Sequence, residues 1–158
     1  VGYFSGTFIN KTDKKNRVSV PAKFRQLITL NGVHAFFLRP SFTHACLEAV
    51  QHSVMDEVAA ALARLGPLSP ERAALSTMLF AEASEILMDP EGRISIPDSL
   101  REFAKIGEDV VFAGLGDKFQ LWEPAAFEAY RAEARALARE CLSLLEGATA
   151  PIAAGGRS

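Results

Sequence analysis

Apolar and polar positions along the chain follow the same order twice. Val18-Ser19-Val20 and Ile94-Ser95-Ile96 alternate apolar and polar residues, the two-residue period of a short strand with one buried face. The period then turns helical. Phe24, Leu27 and Ile28 in the first copy, and Leu100, Phe103 and Ala104 in the second, share one face of a helix opening at Pro21 or Pro97. Proline is expected at the first helical position, where its missing N–H has no intrahelical partner to lose. Candidate strands precede each turn, at Ser5 to Thr12 and Glu82 to Met88. Two more follow each helix, at Ala35 to Arg39 and Ala45 to Val50, then at Asp109 to Ala113 and Lys118 to Trp122. Each copy is therefore β-β-α-β-β. At ~45 residues it is too small to bury a comfortable core alone, so the two are expected to fold together as an α+β unit.

The letters repeat as well as the pattern. Asp13 to Ile28 aligns without a gap on Asp89 to Ala104, 76 residues on, with five identities: Asp13/Asp89, Arg17/Arg93, Ser19/Ser95, Pro21/Pro97 and Arg25/Arg101. A duplication of this kind constrains fold and function together. Asn16 and Gly92 hold the same place, and both residue types accept a positive φ, so a tight hairpin turn is expected in each copy. The Asp at its start is suited to hydrogen-bond local backbone groups. The Arg that begins the return strand either offers its side chain to an external partner or closes a local salt bridge to that Asp.

Between the copies, Ser53 to Leu65 reads as a helix with Ser53 as its N-cap and Val58, Leu62 and Leu65 inward. Gly66-Pro67-Leu68 connects it to a second helix opening at Ser69-Pro70-Glu71 and burying Leu75, Met78 and Leu79. From Pro124 a long helix is marked by Phe127, Tyr130, Leu137, Cys141 and Leu144, with Gly147 as its stop. The Ala/Gly-rich tail is expected to be mobile. The organisation is thus a first repeat at 4–52, a helical hairpin at 53–80, a second repeat at 81–124, a terminal helix at 125–147 and a tail at 148–158.

A composition of 49% hydrophobic residues makes disorder a poor default for these 158 residues. No apolar run approaches the ~20 residues that cross a bilayer, and no secretory pattern is visible, so a soluble cytoplasmic protein without membrane partners is expected. Cys46 and Cys141 form no close pair, and His34, His44 and His52 are scattered, which leaves no metal-ligand set and no implied cofactor. No nucleophile-base pair, paired-carboxylate motif or phosphate-binding glycine loop is identifiable, and no small-molecule ligand is evident, so an enzyme is disfavoured.

The net charge of −2 hides a strong asymmetry. Residues 1–47 hold seven Lys/Arg and only Asp13 on the acidic side, a balance of +6; the remaining ten basic and eighteen acidic residues give −8, and the two return −2. An anionic partner for the first repeat follows. Lys11, Lys14, Lys15 and Arg17 surround the first turn, with Lys23 and Arg25 just beyond. Double-stranded DNA fits such a projecting cluster: Lys supplies a mobile point charge, and Arg a planar fork for phosphate or guanine. In the second turn Pro90 and Glu91 replace Lys14 and Lys15, leaving Arg93 as its main cation and the first repeat as the stronger reader. Arg131, Arg135 and Arg139 recur at four-residue spacing on the terminal helix, where a solvated face competes with an anionic contact.

Two Asp-x-Lys-Gly-Arg-like turns, each followed by an alternating strand and Pro-x-x-[Phe/Leu]-Arg, stand between Phe4-Ser5-Gly6 and Phe119-Gln120-Leu121-Trp122. In this order and spacing, over roughly Phe4 to Arg131, the chain resembles the MraZ family of bacterial transcriptional regulators. The resemblance implies two AbrB-like, swapped-hairpin-related domains forming an internal pseudo-dimer, and a ring-like homo-oligomer. It also implies a nucleoid-associated regulator, more often a repressor, that binds repeated sites in the promoter of the division and cell-wall gene cluster. Lys15 and Arg17 fall on the family's Lys and Arg of the first turn, and Arg93 on the Arg of the second. Asn16 departs from the family's Gly and Glu91 from its Lys; Asp13, Asp89 and Gly92 keep the turn-building positions. A ring-forming scaffold with incidental DNA binding, and an AbrB-like antitoxin, are the competing readings.

Overall fold

In the computed structural model, which describes residues 2–155, each repeat forms its strands and helix in the expected order. The first repeat contains β1 (Thr7–Lys11), β2 (Val18–Ser19), α1 (Ala22–Ile28), a 3-10 turn at Thr29–Asn31, β3 (Ala35–Pro40) and β4 (Leu47–Val50). α2 (His52–Ala63), α3 (Pro70–Ser76) and a π turn at Thr77–Ala81 connect it to the second. That repeat supplies β5 (Ser84–Leu87), β6 (Arg93–Ile94), α4 (Asp98–Phe103), β7 (Asp109–Gly114) and β8 (Phe119–Trp122), before α5 (Pro124–Gly155).

The main sheet is six-stranded and antiparallel, in the order β1-β7-β8-β4-β3-β5. Since β1 matches β5, β3 matches β7 and β4 matches β8 in the repeat, this order reads the same from either edge. Each first strand lies on the other repeat's third strand, with Lys11 opposite Asp109 and Leu87 opposite Ala35. The second strands pair with each other in a separate ribbon, Val18 opposite Ile94 and Ser19 opposite Arg93. Neither repeat closes on itself, the physical sense in which two copies must fold together. At Gly114 a side chain would run into the backbone of Phe4 and Ser5, so glycine admits the close approach of the segment leading into β1.

One apolar core serves both copies. Val18, Val20, Phe24 and Ile28 from the first join Ile94, Ile96, Leu100 and Ala104 from the second in a single cluster. Phe24 lies at its centre, with ring centroids 5.4 Å from Phe4, 5.5 Å from Phe8 and 4.9 Å from Phe119. Such edge and tilted contacts suit the aromatic quadrupole, and truncating a ring packed this way costs about 3–5 kcal/mol.

Several local expectations are corrected. Pro21 and Pro97 sit at the cap, one residue before the helix, with extended ψ of 140° and 143°; their carbonyls accept the first helical N–H groups. α2 is capped at Gln51, so Ser53 lies inside the helix, and its buried face is Met55 and Leu62 with Leu65 exposed. Ser69 does cap α3, accepting from the Arg72 N–H at 3.0 Å, but neither α3 nor the π turn after it buries a residue, and Leu75 and Met78 are exposed. α5 is a unit separate from the sheet and continues through Gly147 to Gly155; the stop read at Gly147 requires a left-handed residue that the helix does not adopt there. Of the tail at 148–158, residues 156–158 lie outside the described residues. Among the described residues no helix is long and apolar enough to cross a membrane.

Candidate nucleic-acid interface

Both turns are built around one carboxylate. In the first, Asp13 Oδ1 accepts the backbone N–H of Lys15 at 2.9 Å and of Arg17 at 2.8 Å, while Oδ2 accepts Arg17 Nε at 3.0 Å and Nη2 at 2.8 Å. In the second, Asp89 Oδ1 accepts from Glu91 and Arg93 at 2.9 Å each, and Oδ2 from Arg93 Nε at 2.7 Å. The backbone closes each loop identically, Asp13 N–H to the Arg17 carbonyl and Asp89 N–H to that of Arg93. The required left-handed residue is Asn16 at φ 62° and Gly92 at φ 80°. Hydrogen bonds from the Arg17 and Arg93 backbone, then from their side chains, hold the Asp13 and Asp89 carboxyls below the usual carboxylate range. Hydrogen bonding to Asp89 in turn raises the Arg93 guanidinium above its ordinary value.

The antiparallel β2–β6 ribbon puts the turns at its two ends and brings their bases together. Arg17, Asp89 and Arg93 line one cleft of about 290 Å³ together with Glu85 and Pro97. Of the cations singled out from the sequence, Lys14, Lys15 and Lys23 are exposed. Arg17 and Arg93 are half-buried on their Asp partners, so the local salt bridge weighed for Arg17 exists. Arg93 also lies 3.6 Å from Glu91. Lys11 faces acids of the second repeat, 3.7 Å from Glu108 and 4.0 Å from Asp109. The cluster thus divides into lysines that project and arginines that build. Elsewhere, burial pushes the Cys46 thiol up to about 12, which keeps it protonated and inert, and no group of three or more metal-ligating side chains exists among the described residues.

Comparison with known proteins supplies the lineage. A family model described as "MraZ protein, putative antitoxin-like" matches residues 79–141, the span from the π turn before β5 through the second turn into α5. The "Transcriptional regulator MraZ" of Parvibaculum lavamentivorans is 38% identical over 158 residues, 98% of each chain. That of Gluconacetobacter diazotrophicus is 41% identical over 140 residues, covering 87% of this chain and 89% of its own. That of Rickettsia canadensis is 39% identical over 140 residues, 87% and 92%. The chain belongs to the MraZ family.

Within this MraZ-family fold, one substitution separates the turns. At Gly92 a Cβ would collide with Arg25 Cδ and crowd Nε at 2.7 Å, because the Arg25 side chain lies across that glycine and donates from Nη1 to the Val20 carbonyl at 2.9 Å. Asn16 has a Cβ at the matching place. Arg101, the repeat mate of Arg25, instead donates from Nη1 to the Gly107 carbonyl at 2.7 Å, and its Nε and Nη2 are buried without a hydrogen-bond partner. Burial lowers the Arg101 guanidinium below its ordinary value, opposed by Asp98. Sequence reasoning left Arg101 out of the site, although its alignment with Arg25 was the signal that placed it beside a turn. Arg25, counted among the cations, is bonded to the Val20 carbonyl and packs against Gly92 of the second turn.

Proposed function

We propose that this chain is a sequence-specific DNA-binding transcriptional regulator, a repressor whose first turn carries the reading. Lys14 and Lys15 enter or border a groove, Arg17 contacts from the base of the turn, and Lys23 assists at the phosphates; Lys11, Arg25 and Arg93 play lesser, chiefly structural parts. The observation that carries this reading is the pair of matched Asp–Arg turns, of which only the first presents projecting lysines. A rigid loop tipped with cations contributes both phosphate affinity and, through Arg, base recognition.

Membership of a family whose curated relatives are named transcriptional regulators supports the same conclusion. On this reading the chain is cytoplasmic and nucleoid-associated, needs no cofactor and catalyses nothing. Its targets are repeated sites in the promoter of the division and cell-wall gene cluster, gripped by a ring-like homo-oligomer. Linked subunits raise the effective concentration of each successive turn, so contacts that are modest singly combine into tight binding. The domain limits that follow are 4–52 and 81–124 for the two repeats. Binding of a folded Arg17→Ala variant to the upstream duplex tests the assignment. Affinity is expected to fall without loss of fold, and unchanged binding would remove Arg17 from the interface.

A further inference from the structure

The two repeats create two matching clefts, one beside each turn, and they are furnished differently. The cleft beside the second turn, about 580 Å³, is lined by Arg25, His34, Asp89, Pro90, Glu91 and Gly92. Its guanidinium is folded over Gly92 and bonded to Val20, and Glu91 opposes any anion. The cleft beside the first turn, about 460 Å³, is lined by Thr12, Asp13, Lys14, Asn16, Arg101 and Glu108, among others. Its side chains leave the Thr12 hydroxyl and the Arg101 Nε and Nη2 buried without hydrogen-bond partners. Donors withheld from both water and protein are costly, and a charged one more so.

We infer that Arg101, a residue of the second repeat, completes the DNA surface of the first turn by contacting a backbone phosphate in the cleft it shares with Lys14. This rests on the first turn being the reading turn. Nε and Nη2 form the edge of the guanidinium fork that grips a phosphate; here that edge is buried and Nη1 is bonded to the Gly107 carbonyl at 2.7 Å. Turning about the terminal side-chain bonds moves the planar guanidinium as one unit, so presenting that edge to the cleft exchanges the Gly107 bond for bonds to the phosphate. The acids there are already engaged: Asp13 holds Arg17 and two backbone amides, and Glu108 lies 3.7 Å from Lys11. The matching Arg25 is bonded to Val20, lies across Gly92 and shares its cleft with Glu91, so one turn per chain, not two, carries a phosphate clamp.

The test compares wild type, Lys15→Ala, Arg101→Gln and Arg101→Lys on the upstream duplex and a scrambled duplex over a range of salt, with thermal melts confirming the fold. Arg101→Gln is expected to weaken both duplexes alike, about fivefold, and to flatten the slope of log affinity against log salt by about 0.9, while Arg101→Lys retains most of the slope. In wild type, the Arg101 Nε–H resonance should shift on adding duplex while that of Arg25 stays, a readout that does not depend on any variant folding. An unchanged slope in folded Arg101→Gln, or an Arg101 resonance unmoved by saturating duplex, overturns the inference. If Lys15→Ala flattens the slope and Arg101→Gln does not, the reading turn survives and the clamp falls. If wild type binds neither duplex, both fall.

Discussion

The two turns are the same machine with different tips. Each hangs four to five residues on one carboxylate, and each pairs that carboxylate with the Arg that starts the return strand. The pair persists in the second turn, where Glu91 stands beside it, so its first service is to shape the loop. What differs is what the loop carries and what lies beneath it: lysines and an unsatisfied Arg101 at the first, Pro90, Glu91 and a bonded Arg25 at the second. On the proposed reading, the duplicated frame is kept for stability in one copy and equipped for binding in the other.

The largest effect should come from Gly92→Ala. It places a side chain at φ 80° and drives it into Arg25, so a loss of about 2–3 kcal/mol is expected in denaturant unfolding. Asn16→Gly should change stability by only about 0.5 kcal/mol, since the left-handed conformation is kept. A structure of that variant should show Arg101 swung across the turn in the manner of Arg25. An equal cost at both positions would show that the turns are not differently loaded.

Removing the carboxylates comes next. Asp13→Ala and Asp89→Ala should each speed amide exchange in their own turn, but only Asp13→Ala should lower DNA affinity, by roughly tenfold, because only that loop presents lysines. Equal losses would assign DNA contact to both turns. A smaller change is expected from tip charges: Lys14→Ala or Lys15→Ala should each flatten the salt dependence by about 0.9, and Glu91→Lys should steepen it if the second turn borders the duplex.

The mildest probe is pH. Asp13 and Asp89 have depressed pKa values in the fold, so their contribution is present above the ordinary carboxylate pKa and is lost as pH falls through the lowered, folded value. The Arg17 and Arg93 Nε–H resonances should therefore keep their bonded shifts at neutral pH and collapse together only under acid. Collapse of one well before the other would show that the carboxylates are not equivalent.

The repeat, the strand and helix order and the turn residues were legible in the sequence, because alternation, helical spacing and Asn/Gly at one aligned place are local signals. The pairing of β1 with β7 and β5 with β3 is not local: the letters of Thr7–Lys11 do not say which repeat they will lie on. Local patterns also misled where backbone geometry intervened. The apolar positions of α3 and the π turn stay unburied, Leu75 and Met78 among them, and α5 ran on through Gly147 because glycine permits a helix end without compelling one. The cations around the first turn were found by charge counting, yet counting cannot separate Lys15, which projects, from Arg25, which is folded under the opposite turn. Arg101 escaped because its partner, the Gly107 carbonyl, and the burial of its Nε and Nη2 are set by the fold and not by the aligned letters it shares with Arg25.

The most direct measurement compares wild type with the Lys14→Ala/Lys15→Ala double variant on the chain's own upstream duplex and on a scrambled duplex, at two salt concentrations, with oligomer mass recorded throughout. Selective binding by wild type, lost in a variant of unchanged mass and fold, is the predicted result. Equal, salt-sensitive binding of both duplexes by wild type would contradict it and leave a nonspecific basic surface on an assembly protein.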